Sequence, residues 1–582
     1  RAAEIHPVES PISASDQELT NQVGSKLDQP LFVCAVRALI LTEPKQRRAR
    51  AQGLIASFAS FTTSHGQALR SPWSPWSVLK RWQFSRRVLP TSNLILAPTE
   101  IAGLYHFPIT DKSHTEDLVR SRSPELPAPL SFKQAAPHFD NVFATNTYAG
   151  QSTAIGLTLD ERRRHTYIIG ATGTGKTTLL STMIYQDILN GKGVAVVDPH
   201  GQLVEGILRA IPHERIKDVV WFAPDDDGHP IALNLLDLPR IGDGELTSSQ
   251  LEKQKSLVAS SMLSIFQKLY DAKYFGPRME SLLRNALLTV LETPNPTLLT
   301  VQNLLTQKDF RQQITSTLTN SVLKNYWTYE FEKQGSLQRN QMISPVTNKI
   351  GGILSSPLNY NILTQPTSKL DFETVMNEGK ILLCDLSKGK IGEDASSFFG
   401  SLIVAKLQLA ALSRARIPEA ARRDFYLYVD EFQNFATDSF GQLVSEARKY
   451  RLATILAHQS ISQIEDRDIV KNILANVGTT ISFRTANPED EQFVLPIFAP
   501  QVSKHEIANL PLYTFYMKVA VGQPQDAFKA EVNNFTAEAS DETAQAVMDE
   551  SRAQFASPIN LHSSSPQPTY QAADLHTNYV AP

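Results

Sequence analysis

Two short stretches carry residue types able to handle a triphosphate, GATGTGKTTLL at 170–180 and FYLYVDEFQNF at 425–435. In the first, Gly170, Gly175, Lys176 and Thr177 fit the spacing G-x-x-x-x-G-K-[ST]. An apolar run, HTYIIG (165–170), precedes it, and an amphipathic segment with Leu180, Met183, Ile184 and Ile188 on one face follows. Glycine lets backbone N–H groups turn inward at a helix N-terminus, where the dipole favours anions. Gly170, Thr172, Gly173, Thr174, Gly175, Lys176, Thr177 and Thr178 are therefore expected to surround the phosphates of ATP. Lys176 would bridge the β- and γ-phosphates, and the Thr177 hydroxyl would ligate Mg2+. The alternative is a glycine-rich turn that binds nothing.

The second stretch sets Asp430 and Glu431 at the carboxyl end of a predicted strand, where open α/β sheets hold ligands. Asp430 suits the metal, directly or through water. Glu431 suits the base that orients and deprotonates attacking water. Two acids at a strand end also occur in solvated turns, but an intact phosphate loop upstream favours the catalytic reading. A small-molecule kinase must exclude water, whereas a motor must activate it, so Glu431 points to hydrolysis. Gln459 ends the next predicted strand, ATILAHQ (453–459), where its amide could contact the γ-phosphate or its water; His458 beside it reads as packing.

A sheet must hold these groups. From about residue 150, apolar runs alternate with helical patterns: HTYIIG, GVAVVD (193–198), VVWFAP (219–224), ILLCDL (381–386), FYLYVD (425–430), ATILAHQ and GTTISFRT (478–485). Near-continuous Val, Ile and Leu is the mark of parallel strands buried on both faces. The fold class expected is α/β, with a doubly wound, mostly parallel sheet. Between 244 and 375 the strands give way to helical periodicity, so an all-α insertion separates the two halves of the site. The expected organisation is a mixed N-terminal accessory region (1–150), the first part of the core (151–243), the insertion (244–375), the second part of the core (376–535), and a helix with a disordered tail (536–582). YTFYMKVAVG at 513–522 reads as a late strand.

Composition narrows the classes. A chain of 582 residues with 42% apolar and 20% charged residues is globular and has room for two or three domains. A net charge of −3 argues against a surface that coats DNA, but not against a narrow channel with a few local cations. The basic clusters KQRRAR (45–50) and KRWQFSRR (80–87) read as solvated faces, with Trp82 and Phe84 leaving a phosphate-facing surface open. Cys34 and Cys384 each lie in apolar runs and read as buried free thiols. The longest apolar run noted, LFVCAVRALIL (31–41), is short and carries Arg37, so no transmembrane segment is expected in this chain. The expected location is cytoplasmic, including a peripheral position at the inner face of the cell membrane. The first residue is Arg1, which leaves room for an N-terminal anchor ahead of it.

The order GATGTGKTTLL, GVAVVDPHGQL, FYLYVDEFQNF, SEARKYRLATILAHQS and GTTISFRT resembles that of the HerA/FtsK-like motor ATPases, and most closely the TraD/TraG-class coupling ATPases of type IV secretion and conjugation. The resemblance spans residues 150–535 and extends less distinctively to LILAPTEIAGLYHFP (94–108). It implies a RecA-like P-loop NTPase that uses ATP and Mg2+, assembles as a homo-hexamer, and translocates single- or double-stranded DNA alongside type IV secretion components. It also implies that Arg448 of EARKYR reaches the γ-phosphate held by the adjacent subunit, with Arg484 as the other candidate. On its own, Arg448 would read as a surface ion pair, for instance with Glu446. Asp198 of the DPHG segment is given no catalytic role, because Gln202 stands where relatives often carry an acid. Lys268, Lys273, Arg278 and Arg284 of the insertion could face substrate, or form a solvated face with Asp271 and Glu280. The rival functions are a secretion-machine ATPase that powers assembly or protein export without DNA, and a nucleotide-dependent switch or binding module.

Overall fold

Strands apolar at consecutive positions need cover on both faces, and the computed structural model provides it. It describes residues 14–38, 40, 42–43, 45–58, 82–88, 94–105, 125–238, 247–269, 275–437, 441, 444–464, 467–520, 525–534 and 538–556. Lys273, Asp271 and the tail from 557 lie outside these residues. The chain divides into two units, Arg1–Arg120 and Ser121–Pro582. In the first, β1 (Phe32–Cys34) pairs antiparallel with β2 (Leu94–Leu96), and Lys26 meets Glu100 at 3.0 Å. The run at 31–41 thus supplies a three-residue strand, and Cys34 is half-buried rather than buried as expected, because β1 is largely exposed. The cluster at 45–50 lies on and just before the helix Arg47–Ser57 and is exposed.

The second unit is built on one sheet, eleven-stranded among the described residues. Its order is β4 (Gln151–Leu157), β3 (Asn141–Tyr148), β13 (Phe528–Val532), β12 (Thr514–Val519), β11 (Thr479–Ser482), β5 (Thr166–Ile169), β10 (Leu452–His458), β9 (Phe425–Val429), β6 (Gly193–Asp198), β8 (Ile381–Asp385) and β7 (Val219–Phe222). From β11 to β7 every neighbouring pair is parallel; β12, β13, β3 and β4 pair antiparallel. All seven predicted strands and the late strand are present, and the α/β class holds. The hairpin β3–β4 was not foreseen: it adds to the sheet edge through β13, so the unit begins well before the expected border at 150.

Side chains alternate between two apolar layers, as a period of two requires. Tyr167, Ile169, Ala195 and Val197 enter one layer; Ile168, Val194 and Val196 enter the other with Leu180, Met183, Ile184 and Ile188 of the helix Lys176–Leu189. The first layer is continuous with the all-α insertion, whose helices run from Ser248–Leu269 to Phe372–Glu378. Trp327 is buried there, its indole N–H donating to Thr289 Oγ1 at 2.8 Å. The stretch at 393–416 is long and apolar enough to cross a membrane, yet 83% of its apolar window is buried within the fold. It packs as the helix Glu393–Ser413 against Ser248–Leu269 and serves as a core helix.

Candidate functional site: a phosphate loop facing two acids

The loop between β5 and the helix Lys176–Leu189 is tied to a strand on each side. Gly170 N–H donates to His458 O of β10 (3.3 Å), and Ala171 N–H donates to Arg484 O just beyond β11 (2.8 Å). Gly170 is required by packing, since a Cβ there would lie 2.5 Å from Phe483 Cβ. Gly175 holds φ +117°, a conformation that side chains rarely adopt. Thr174 turns its hydroxyl into the loop, onto Ala171 O (2.7 Å). Lys176 is buried and folds its ammonium over the loop, donating to Gly170 O (2.6 Å) and Ala171 O (3.2 Å). Burial lowers its pKa, against the pull of Glu431 and Asp430. Thr172, Gly173 and Thr177 are exposed, and Thr178 is half-buried.

Two strands away, β9 ends at the acids. Asp430 accepts the Glu431 N–H at 3.0 Å. Its carboxyl is pushed up to about 7, first by burial, then by the negative charges of Glu431 and Asp198. The negative charges of Glu431 and Asp198 around Asp430 fit a divalent cation, which would restore Asp430 to its charged form. Glu431 takes φ +47°, a strained turn for a non-glycine residue that swings it off the strand line. Its Oε1 accepts from Gln459 Nε2 and its Oε2 from Gln433 Nε2, both at 2.7 Å. Thr172 of the phosphate loop donates to Gln459 Oε1 at 2.9 Å, so loop, amide and acid form one row.

Asp198, at the end of β6, accepts N–H groups of His200 (2.8 Å), Leu203 (2.8 Å) and Val204 (3.2 Å). Its carboxylate caps the helix Gln202–Leu208, a shaping role. His458 is fully buried against Tyr167 and Phe432; burial and then the Lys176 charge push its pKa down to about 3, so it is neutral packing.

The two candidate arginines sit at opposite ends of the sheet. Arg484 lies beside its own phosphate loop, through its carbonyl. Arg448 is exposed in the turn Ala447–Tyr450 ahead of β10 and forms no ion pair among the described residues; its charge bears on His165, which precedes β5. The seven residues of β10, about 23 Å long, separate that turn from Gln459. Arg448 therefore faces away from the site in its own chain.

Two family models match this chain: "Helicase HerA, central domain" over residues 145–407, and "TraM recognition site of TraD and TraG" over residues 424–495. In these two segments the chain resembles the HerA helicases and the TraD/TraG class. The solved conjugative coupling protein TrwB, lacking its first 70 residues and unbound, aligns at 17% identity over 72% of this chain and 94% of its own, with a TM-score of 0.51. TrwB in complex with ADP and Mg2+ aligns at 18% identity over 72% and 95%, again at 0.51. VirB4 of Thermoanaerobacter pseudethanolicus aligns at 13% over 68% and 96%, with a TM-score of 0.47. No curated protein sequence matches. The TrwB likeness is one of fold: a P-loop NTPase sheet of RecA-like type.

One part of the site has no signal in the sequence. Gln433 holds Glu431 and also donates to Gln463 Oε1 (2.9 Å), while its own carbonyl accepts from Lys268 (3.0 Å) at the end of Ser248–Leu269. Lys268, though exposed, thus ties the insertion to the acid turn. An amide two residues after Glu431 alone names no partner. Arg284 pairs with Glu280 at 2.9 Å, and Arg278 is exposed, as a solvated face requires.

Proposed function

We propose that this chain is the ATP-hydrolysing subunit of a homo-hexameric ring that translocates DNA in conjugative or type IV secretion-like transfer. The observation that carries the proposal is the row Thr172–Gln459–Glu431 running beside the loop of Lys176. It puts a carboxylate for water and an amide for the terminal phosphate beside a cationic cradle. TrwB, of the same fold, has been solved with ADP and Mg2+ and with a non-hydrolysable ATP analogue, which supports the choice of ligands.

In this mechanism the loop N–H groups and Lys176 neutralise phosphate charge, with Lys176 exchanging the carbonyls of Gly170 and Ala171 for phosphate oxygens. Thr177 and Asp430 would hold Mg2+, which supplies Lewis-acid stabilisation of the charge that develops on the leaving group. Glu431 orients and deprotonates water. Gln459, bonded to Glu431 and to Thr172, registers the state of the loop at the acid. Because Arg448 lies at the far end of β10, it serves a neighbouring subunit, and hydrolysis requires assembly. A cytoplasmic position at the inner membrane face goes with this role.

The test is ATP turnover against protein concentration, with and without DNA, at two salt levels. A channel motor shows a cooperative onset with assembly and a DNA stimulation that weakens with salt through counterion competition. Turnover in the assembled ring that ignores single- and double-stranded DNA at low salt would point to a secretion ATPase without DNA. A single turnover per chain would leave only a switch.

A further inference from the structure

The side of the loop away from the acids is bounded by the antiparallel strands. Strand order sets the direction of a bound nucleotide, since β10 and β9 with Gln459 and Glu431 lie on one side of β5, and β11 and β12 on the other. With the terminal phosphate at the acids, the ribose and base leave the loop toward β11 and β12.

Tyr513, immediately before β12, stands at that edge. Its N–H donates to Thr174 O in the phosphate loop (2.8 Å), and its carbonyl accepts from Val532 N–H of β13 (2.9 Å). The backbone is thereby pinned at φ +61°, which a residue with a Cβ adopts only under constraint. A Cβ on Gly175 would lie 3.0 Å from Tyr513 Cα and 3.1 Å from its Cδ1, so the ring rests against the last glycine of the loop. Burial does not account for this arrangement. Phe483 and Phe515 fill the core at this end of the sheet, while 48% of Tyr513 stays exposed. A strained residue that presents a flat apolar face beside a phosphate cradle suits a planar ligand group attached to those phosphates.

We propose that Tyr513 is the stacking platform for the nucleobase of the triphosphate. The inference rests on the triphosphate reading of the loop and adds the subsite that separates a nucleotide from a bare polyphosphate. Aromatic stacking on a base is worth roughly a factor of ten or more in affinity, and tripolyphosphate cannot use it.

The experiment measures binding of ATP and of inorganic tripolyphosphate, each with Mg2+, to wild type, Tyr513→Ala and Tyr513→Phe by titration calorimetry. Tyr513→Ala is expected to weaken ATP about tenfold or more and to leave tripolyphosphate within about twofold, while Tyr513→Phe keeps ATP near wild type. Retained tripolyphosphate binding also reports an intact loop. ATP affinity unchanged in Tyr513→Ala overturns the inference. Equal weakening of both ligands overturns it too, because the ring would then only buttress the loop. Wild type that binds neither ligand overturns the triphosphate reading itself.

Discussion

The parallel and antiparallel halves of the sheet do different work. In the parallel half, β5, β10 and β9 bring their carboxyl ends to one edge, so Lys176, Gln459, Asp430 and Glu431 meet although the sequence scatters them. In the antiparallel half, successive strands reverse, and only one end of each can reach that edge; β12 brings its first residue there, and Tyr513 with it. Parallel pairing gathers reactive groups, while antiparallel pairing closes the sheet and frames the cradle from the side. Damage to the first half should stop chemistry in a folded protein, and damage to the second, Tyr513 apart, should cost stability before chemistry.

The largest effect is expected at the turn that leads into β10. Arg448→Ala should lower turnover of the assembled ring by roughly 10³-fold or more while nucleotide affinity changes little. Mixing Arg448→Ala with Glu431→Gln subunits should restore part of the activity, because some interfaces then hold an intact acid from one subunit and an intact arginine from the next. Mixed rings as dead as either parent would remove Arg448 from the neighbour's site. Next, Glu431→Gln alone should cost about 10²- to 10⁴-fold in turnover and leave ATP bound; hydrolysis at the unmutated rate would rule out Glu431 as the base.

A smaller effect belongs to the antiparallel edge. Asn146 on β3 accepts from Ala128 N–H (3.0 Å) and donates to Leu126 O (2.8 Å) and Lys529 O (2.6 Å). Asn146→Ala should lose roughly 2–3 kcal/mol in denaturant unfolding, yet bind ATP as before. Lost ATP binding in a folded variant would erase the distinction between the halves.

The last effect is spread over pH as a slope. The unfolded Asp430 carboxyl releases its proton near the ordinary value of about 4, whereas the folded one, at about 7, holds it longer. The unfolded state thus binds fewer protons between these values, and stability falls as pH rises through this window, by at most about 1.4 kcal/mol per pH unit. Asp430→Asn should flatten that slope in melting curves taken without nucleotide or Mg2+ from pH 5 to 8. Identical slopes in both proteins would sink the assignment.

The parallel half was legible because its strands are apolar at successive positions and three of them end in a recognisable group: GKTT after β5, DE after β9, Gln459 after β10. The hairpin β3–β4 was missed because β4 is exposed over its first half and alternates weakly, so its sequence resembles the polar run before it. The bond from Lys268 to Gln433 joins residues 165 apart, and no local pattern encodes it. The helix Glu393–Ser413 shows the limit of composition, since an apolar segment suits a protein core and a lipid core alike. Tyr513 was seen only as the first letter of a strand; its positive φ depends on bonds to Thr174 and Val532 that only the folded chain makes.

Strand β10 carries one further consequence. It is a single rod with Arg448 ahead of one tip and Gln459 just past the other, braced by parallel neighbours on both sides. If the first answers to the next subunit's phosphate and the second to its own, a shift of this rod by a fraction of an ångström would be felt at two hydrolysis sites at once. Order of firing around a ring could then pass from subunit to subunit along one backbone, with no separate messenger between them.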